Sequence, residues 1–400
     1  MIKNFTRILL FLLVIKTIPG FSQLVTDDKR RELNSFSIRL KADFETNRNK
    51  AFALAREKGW PILRREKNGG ITSLQGTDIL GFPIYLKTSD NIIAAATTQT
   101  TALYNGGSLG LNLSGSSTNV AGKLGIWDGG KIYPDHQEFA GKTVTMLDNS
   151  ATISDHTTHV AGTMIAKGTY APARGMAYGA NGLVAYDFDN DASEMAGKAA
   201  SLLISNHSYG YVAGWSYNTS VTPNRWEWLG LPGDTEDYKF GYYDANTQSY
   251  DRIAYNAPYY LIVASAGNNH GETGPAVGET YYGYQSRTSA TIVNKGARPA
   301  NISSNDGYDV ITAPAIAKNV LSVGAVNPLP FGPTVSSNIA IASFSSWGPT
   351  DDGRIKPDIC GDGVNVISAG TAATDAYVAM SGTSMASPNV SGSVFLLQEY

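Results

Sequence analysis

Short apolar runs recur along the chain from about residue 120, and stretches with helical character separate them. The runs lie at 124–127, 183–186, 202–205, 261–264 and 320–323. Such runs are typical of strands buried on both faces, and their alternation with helices predicts βαβ units around a mainly parallel sheet. We therefore expect an α/β fold with three layers, α/β/α, in which functional residues gather at the carboxyl ends of the strands.

The residues from 24 to about 97 follow a different pattern. The part from 27 to 67 is dense in charge, with amphipathic helical spacing around Phe52 and Trp60, and a strand-like piece follows at 82–86. The small-residue run at 94–101 is predicted to be a linker. This N-terminal part is therefore either a small domain in its own right or a removable pro-segment.

The first 22 residues have the pattern of an export signal. Lys3 and Arg7 precede an apolar core at 8–15, and small residues follow before a cut at Gln23. That core is too short to span a bilayer, and no later run approaches transmembrane length. We predict a signal peptide over 1–22 and a secreted protein without a membrane span, located outside the cell, at its surface or in a periplasm.

Composition narrows the classes of partner. The 400 residues are 42% hydrophobic and 16% charged, and the net charge of −3 gives no reason to expect nucleic acid as a partner. The 42 glycines favour a fold with many tight loops over a helical bundle. Cys360 is the single cysteine, so no disulfide within the chain is available.

Four polar residues stand at the ends of predicted strands or at the starts of predicted helices. Asp128 and Asn268 each follow an apolar run, where Asp and Asn beside glycine most often form turns. His156 follows a polar run and is predicted near the start of a helix. Ser384 is predicted to begin a helix with Pro388 in its first turn, where serine is most often a cap. Each residue alone therefore indicates only local structure.

Two groups of residues have side chains that could bind a metal ion, a pair of histidines and a group of acidic residues, but metal binding is predicted for neither. His156 and His159 would share a helical face, but no nearby carboxylate or cysteine completes a ligand set. Four acidic residues lie in a later loop: Asp234, Glu236, Asp237 and Asp244. A solvated acidic loop is the favoured interpretation, so no structural calcium site is assigned. No cofactor is expected for catalysis.

Together the four polar residues fit nucleophilic acyl transfer. That chemistry needs a hydroxyl, an imidazole that takes its proton, a carboxylate that orients the imidazole, and donors for the oxyanion. The order Asp, His, Ser along the chain is the subtilisin order. The sequence resembles the subtilisin-like (subtilase) serine peptidase family from about residue 120 to 400. The matching segments are 125–129, 156–163, 266–268, 320–326, 342–349 and 382–388.

The resemblance implies a subtilisin-like fold and a role for each residue. Asp128 would orient His156, which would act as general base and then general acid, while Ser384 would form the acyl-enzyme. Asn268 and the backbone N–H of Ser384 would form the oxyanion hole. A protein or peptide substrate would pair with two short segments: Ser208, Tyr209, Gly210, Ser265, Ala266 and Gly267.

The chain departs from the family pattern in three places. Gly129 stands where Ser or Thr is usual, and Thr157 stands where Gly is usual. The segment between 209 and 260 is longer than in compact members of the family and rich in aromatic residues, among them Trp215, Trp226, Trp228, Tyr242 and Tyr243. These aromatic residues either wall the substrate cleft or pack within an insertion.

The resemblance also divides the chain. By position and size, residues 23–98 correspond to a pro-segment and 99–400 to the peptidase domain, with the junction between Ala94 and Tyr104. Family members usually continue beyond the helix that holds Tyr400, so the domain is predicted to be truncated at its C-terminus.

The expected function is that of a secreted serine endopeptidase with its own pro-segment as a partner. The alternatives are a catalytically inactive peptide-binding protein and an extracellular structural protein of the same fold. The related Ser-Glu-Asp carboxyl peptidases need Glu where this chain has His156.

Overall fold

The computed structural model describes residues 25–65, 71–87 and 94–400. The first two ranges form an N-terminal unit of one helix and three strands: α1 (Asp27–Lys58), β1 (Leu63–Arg65), β2 (Ile71–Thr77) and β3 (Pro83–Lys87). The side chain of Thr26 caps the start of α1, and Gly59 ends it with a left-handed φ of 70°. The predicted signal peptide over 1–22 lies outside the described residues.

The rest of the described chain alternates between strands and helices, as the apolar runs predict. In chain order the elements are β4 (Leu124–Asp128), β5 (Thr143–Met146), α2 (Asp155–Ile165), β6 (Gly182–Asp187), α3 (Asp191–Lys198), β7 (Ile204–His207), β8 (Gly210–Tyr211), β9 (Trp215–Asn218), β10 (Arg225–Trp228), α4 (Ala245–Asn256), β11 (Leu261–Ser265), β12 (Thr280–Ser286), β13 (Ser289–Ala297), β14 (Leu321–Val326), β15 (Ile359–Asp362), β16 (Val366–Ala369), β17 (Tyr377–Met380) and α5 (Thr383–Glu399).

A seven-stranded sheet forms the centre of the molecule, in the order β15-β14-β11-β7-β4-β6-β5. All of its strand pairs are parallel. Strands β6 and β5 lie on one side of β4, and β7, β11, β14 and β15 follow in chain order on the other side. The carboxyl ends of β4 and β7 therefore lie at a topological switch point, where parallel sheets form their binding crevices.

Helices cover both faces of this sheet, which confirms the predicted three layers. On one face α2 and α5 bury apolar side chains against β4, with Met164 and Met385 packed near Ile126. On the other face α3 and α4 pack against the same strand through Trp127. Among the described residues, no helix has both the length and the hydropathy needed to cross a bilayer.

The aromatic-rich segment contributes to a second sheet beside the central one, in the order β13-β12-β10-β9. Its strands bury Trp215 against Trp228 and Tyr281, with ring centroids 5.1 and 5.5 Å apart. Aromatic pairs at this spacing stabilise a small sheet that has little other core. Packing within an insertion therefore accounts for Trp228.

The N-terminal unit packs closely against the rest of the chain. Helix α1 lies on α3, where Ser37 and Ser193 each donate a hydroxyl hydrogen bond to the other's carbonyl, at 2.6 and 2.7 Å. Arg48 of α1 forms an ion pair with Asp189, just before α3. The three N-terminal strands continue into β8, giving a sheet in the order β1-β2-β3-β8.

The prediction of a linker over residues 94–101 is wrong. Ala94 is buried in the same core as α2 and α5. The threonine hydroxyls are bound as well, because Thr97 donates to Asp362 at 3.0 Å and Thr100 shares a hydrogen bond of 2.5 Å with Ser393. The small side chains of this segment pack beside α5. Residues 94–101 therefore have the composition of a linker but form a packed part of the fold.

The carboxyl of Asp362 should make the stability of this packing depend on pH. Burial raises the pKa of Asp362 to about 7, against the effect of hydrogen bonds from Val364 and Thr97. The pKa of an Asp in the unfolded chain is about 3.9. Between that pH and about 7 the folded state therefore binds more protons than the unfolded state. Its stability contribution is therefore lost as the pH rises through that window. We expect Asp362→Asn to gain in Tm relative to wild type between pH 5 and pH 8.

Thermal unfolding followed by circular dichroism at several pH values measures this difference. Asp375→Asn, at an exposed position, is the matched control and should keep a constant Tm difference from wild type. A Tm difference for Asp362→Asn that does not change with pH would contradict the prediction.

Candidate active site

The buried pair of Asp128 and His156 lies at the switch point of the sheet. Asp128 ends β4, and His156 is the second residue of α2. Their side chains are fully buried, with Nδ1 of His156 2.7 Å from Oδ1 of Asp128. The helix begins here because the side chain of Ser154 caps it by accepting from the N–H of Thr157. The strand end and the helix start therefore bring the carboxylate and the imidazole together.

Two of the three departures from the family pattern, Gly129 and Thr157, contact the carboxylate of Asp128. The N–H of Gly129 donates to Oδ1 of Asp128 at 2.6 Å, and the hydroxyl of Thr157 donates to the same oxygen at 3.2 Å. A buried carboxylate needs such donors to offset the loss of water. Sequence reasoning noted Thr157 only as a departure and missed its bond to Asp128, although a hydroxyl next to the predicted helix start could have suggested it.

Ser384 is the second residue of α5 and exchanges hydrogen bonds with Ser208. Its Oγ donates to the carbonyl of Ser208 at 3.1 Å, and the hydroxyl of Ser208 donates to the carbonyl of Ser384 at 2.6 Å. Pro388 was predicted in the first turn, which is wrong, because it is the sixth residue of α5. Since proline has no N–H, the carbonyl of Ser384 lacks its usual donor four residues on, and the Ser208 hydroxyl replaces it.

Asn206 extends this connection along α5. Its Nδ2 donates to Oγ of Ser208 at 2.9 Å, and its Oδ1 accepts from the hydroxyls of Ser387 and Ser391 at 2.8 and 2.9 Å. All of these side chains are buried. Sequence reasoning missed Asn206; the available signal was a polar residue in an apolar strand and two serines four residues apart on one helix face.

Asn268 follows β11 and is bound to the start of α5. Gly267 precedes it with a φ of 100°, a conformation that favours glycine. The Oδ1 atom of Asn268 accepts from the N–H of Thr383 at 2.8 Å and from its hydroxyl at 3.1 Å. Because both bonds hold the amide oxygen, the NH₂ group is directed to the other side of the side chain.

A cleft of about 70 Å³ joins Ser384 and Asn268 with several of the predicted substrate-binding residues, namely Tyr209, Gly210, Ser265 and Gly267. Trp215 from the insertion and Glu272 also line it, so one of the predicted aromatic residues does wall the cleft. Ala266 is instead buried in the sheet, where its N–H donates to Val323.

The N-terminal unit pairs with the strand that lines this cleft. Strand β3 runs antiparallel to β8, with Leu86 opposite Tyr211 and Lys87 opposite Gly210. The N–H of Val212 extends the contact by donating to the carbonyl of Tyr85 at 3.1 Å. Part of the edge predicted for substrate is therefore occupied by the chain itself.

The other histidine of α2 has a structural role. His159 is fully buried, and its Nε2 donates to the carbonyl of Val366 at 2.8 Å. Burial lowers the pKa of His159 to about 3, so the ring is neutral at physiological pH. The two imidazoles of α2 therefore bind different partners, which are Asp128 for His156 and the carbonyl of Val366 for His159.

Three of the four acidic loop residues have structural partners of their own. Asp234 pairs with Arg287 at 2.5 Å, Asp237 pairs with Lys239 at 2.8 Å, and Asp244 caps α4. Among the residues that the structure describes, no cluster of three or more His, Cys, Asp or Glu is arranged to hold a metal ion. That no structural calcium site is assigned therefore stays a prediction from the sequence.

Comparison with known proteins gives a family match. Residues 131–400 match the model of the subtilase family, a range that includes His156, Asn268 and Ser384 and begins three residues after Asp128. Over 64 residues the chain is 45% identical to C5a peptidase of Streptococcus pyogenes, covering 16% of this chain and 5% of that protein. Over 108 residues it is 38% identical to serine protease AprX of Bacillus subtilis, covering 23% and 24%.

The aligned parts are thus small fractions of these relatives, at most about a quarter of their length. Among solved structures, the CspB protease of Clostridium perfringens is similar over 76% of this chain and 86% of its own, with 16% identity and a TM-score of 0.47.

Removing the Ser208 hydroxyl should destabilise the protein. Ser208→Ala leaves the buried carbonyl of Ser384 without the donor that replaces the missing proline N–H, and it removes the acceptor of Asn206. An unsatisfied buried polar group costs about 1–3 kcal/mol. We expect the free energy of unfolding, measured by urea titration, to fall by about that amount.

Ser201→Ala is the matched control, because the Ser201 hydroxyl is exposed and donates to the carbonyl of Lys198. Its effect should be well below 1 kcal/mol, within the ±0.5 kcal/mol that is usual for surface changes. Equal losses for the two variants would show that the Ser208 bond contributes nothing specific.

Proposed function

The chain belongs to the subtilase family, and from this we propose that it is a secreted serine endopeptidase that hydrolyses internal peptide bonds through an acyl-enzyme. The observation that carries the proposal is the buried pair of Asp128 and His156 at the switch point, on a helix that packs against the helix of Ser384. Export rests on the signal-peptide pattern of residues 1–22.

The proposed chemistry begins with proton transfer from the nucleophile. Because a carboxylate only accepts, Nδ1 of His156 carries the proton that it donates to Asp128, and the acceptor nitrogen of the neutral ring is Nε2. This nitrogen takes the proton of Ser384 as Oγ attacks the substrate carbonyl carbon. The imidazolium then protonates the leaving amine, which departs as the acyl-enzyme forms. Water, deprotonated by the same imidazole, hydrolyses the ester and regenerates Ser384.

Asn268 and the backbone N–H of Ser384 are the proposed donors to the oxyanion. The amide oxygen of Asn268 is held by Thr383, which fixes the direction in which its NH₂ group donates. The first N–H groups of a helix have no acceptor within that helix, and the N-terminal end of α5 carries partial positive charge. Donors placed in advance are effective because they need no rearrangement as charge develops.

The N-terminal unit is proposed to be an inhibitory pro-segment. Its strand β3 pairs with Gly210, which lines the cleft of Ser384, so a substrate cannot use that edge until the unit leaves. The buried hydrogen bonds of residues 94–98 support a junction earlier than residue 98. We therefore propose cleavage after Lys87 and at or before Ala94.

Replacing the nucleophile should block both maturation and covalent labelling. Wild-type protein is expected to react with a fluorophosphonate at Ser384 and to release its N-terminal unit, while Ser384→Ala does neither. Mass spectrometry identifies the labelled residue and the new N-terminus, which should lie from Thr88 to Ala94.

Ser381→Ala, three residues earlier and at an exposed position just after β17, is the control and should keep both reactions. A folded wild-type protein that resists the label would instead support the inactive peptide-binding or structural alternative.

Removing the side-chain oxyanion donor should lower turnover more than substrate binding. In subtilisin the loss of one such donor costs about 10²–10³ in kcat, so we expect a loss of that size for Asn268→Ala with KM changed little. The measurement is kcat and KM on a fluorogenic peptide that spans residues 78–97 of this chain.

Asn269→Ala is the matched control, because Asn269 lines the same cleft but donates to the carbonyl of Val310. It should retain most of its kcat. A comparable fall in kcat for both variants, or a change confined to KM for Asn268→Ala, would contradict the assignment.

A further inference from the structure

The second sheet (β13-β12-β10-β9) and the loop after β10 share an apolar core with the N-terminal unit. The sheet contributes Tyr284 and Ala290 and the loop contributes Leu231, and we call these three residues the aromatic seat. The N-terminal unit covers the seat with Trp60 and Phe82, both buried. The rings of Phe82 and Tyr284 lie with centroids 4.6 Å apart, a favourable spacing for an aromatic pair.

The seat lies at a defined distance from the cleft along the strand direction. Phe82 directly precedes β3, and Lys87 at the end of β3 pairs with Gly210, which lines the cleft of Ser384. Five residues of extended chain therefore span the gap, about 16 Å at about 3.3 Å per residue. A substrate segment that replaces β3 in the same register brings its own side chain to the position of Phe82.

The surface between the seat and the cleft is continuous and has room for other side chains. A groove of about 490 Å³ runs between the N-terminal unit and the second sheet. The side of the groove formed by the second sheet includes Tyr284, Ala290 and Ile292, and Val212, which follows β8, joins it to the substrate strand. Removal of the N-terminal unit would uncover an apolar surface that is contiguous with the cleft, the kind of surface that marks interaction sites.

We propose that the aromatic seat is a substrate subsite, which binds an aromatic side chain five residues before the residue that pairs with Gly210. Phe82 occupies the subsite in the precursor, and an extended segment of a protein substrate occupies it in the mature enzyme. This inference rests on the proposed peptidase function and on release of the N-terminal unit. It makes the second sheet a determinant of which substrates are cleaved, at a distance from the scissile bond.

The test compares peptides that differ only at the position of Phe82. The matured wild-type enzyme is given a fluorogenic peptide of residues 78–97, the same peptide with Phe82→Ala, and a shorter peptide of residues 84–97. We expect kcat/KM to be about tenfold higher for the first peptide than for the other two. Equal kcat/KM values for all three peptides would overturn the inference and leave the proposed function standing.

Enzyme variants identify the seat as the cause. Tyr284→Ala should cleave the peptide with Phe82 and the one with Ala equally well, while its activity on residues 84–97 stays that of wild type. Tyr217→Ala is the control, because Tyr217 lies on β9 of the same sheet and packs against Trp226. It should keep the tenfold preference, and loss of the preference in the control as well would overturn the role of the seat.

Two outcomes separate the inference from the function on which it rests. If Tyr284→Ala fails to fold, the wild-type comparison of the three peptides still decides the inference. If the wild-type protein cleaves none of the peptides and does not react with a fluorophosphonate, the proposed function fails and the inference fails with it.

Discussion

The exchange of hydrogen bonds between Ser208 and Ser384 is the interaction on which the geometry of the site depends. Pro388 deprives the carbonyl of Ser384 of its helical donor, and this carbonyl is buried at the centre of the molecule. The Ser208 hydroxyl satisfies it, and Asn206 holds that hydroxyl in place. An apparent defect in the helix therefore fixes the short connection between β7 and β8 relative to the residue proposed as nucleophile.

Strand β8, which follows Ser208, explains how one surface would serve both the proposed inhibition and the proposed recognition of substrate. The backbone groups of Gly210 and Tyr211 can pair with a single partner strand on the edge where β3 lies, so β3 and a substrate of the proposed peptidase would compete there. Two residues of pairing are a weak attachment, and the N-terminal unit gains the rest of its affinity elsewhere. It does so through the bonds of Ser37 with Ser193 on α3 and through the apolar core that it shares with the second sheet.

Features with a local signal could be predicted from the sequence, and features built by distant residues could not. The strands at Asp128 and Asn268 were predicted because buried parallel strands appear as short apolar runs, and the helix start at His156 because a polar run precedes it. The role of Asn206 depends on serines about 180 residues further along the chain, a relation with no periodicity to detect. The segment at 94–101 was misjudged for the same reason, since small residues indicate a linker until their packing partners are known.

The surroundings of Asp128 show how a departure from a family pattern can be accommodated physically. The carboxylate is fully buried, and an ionised group there is stable only with several donors. Oδ1 receives the ring N–H of His156, the N–H of Gly129 and the hydroxyl of Thr157. Gly129 offers no side chain, but its backbone still donates, and the hydroxyl that the chain lacks at 129 is present at 157 instead. The two departures therefore compensate each other, and Asp128 keeps its hydrogen bond with His156.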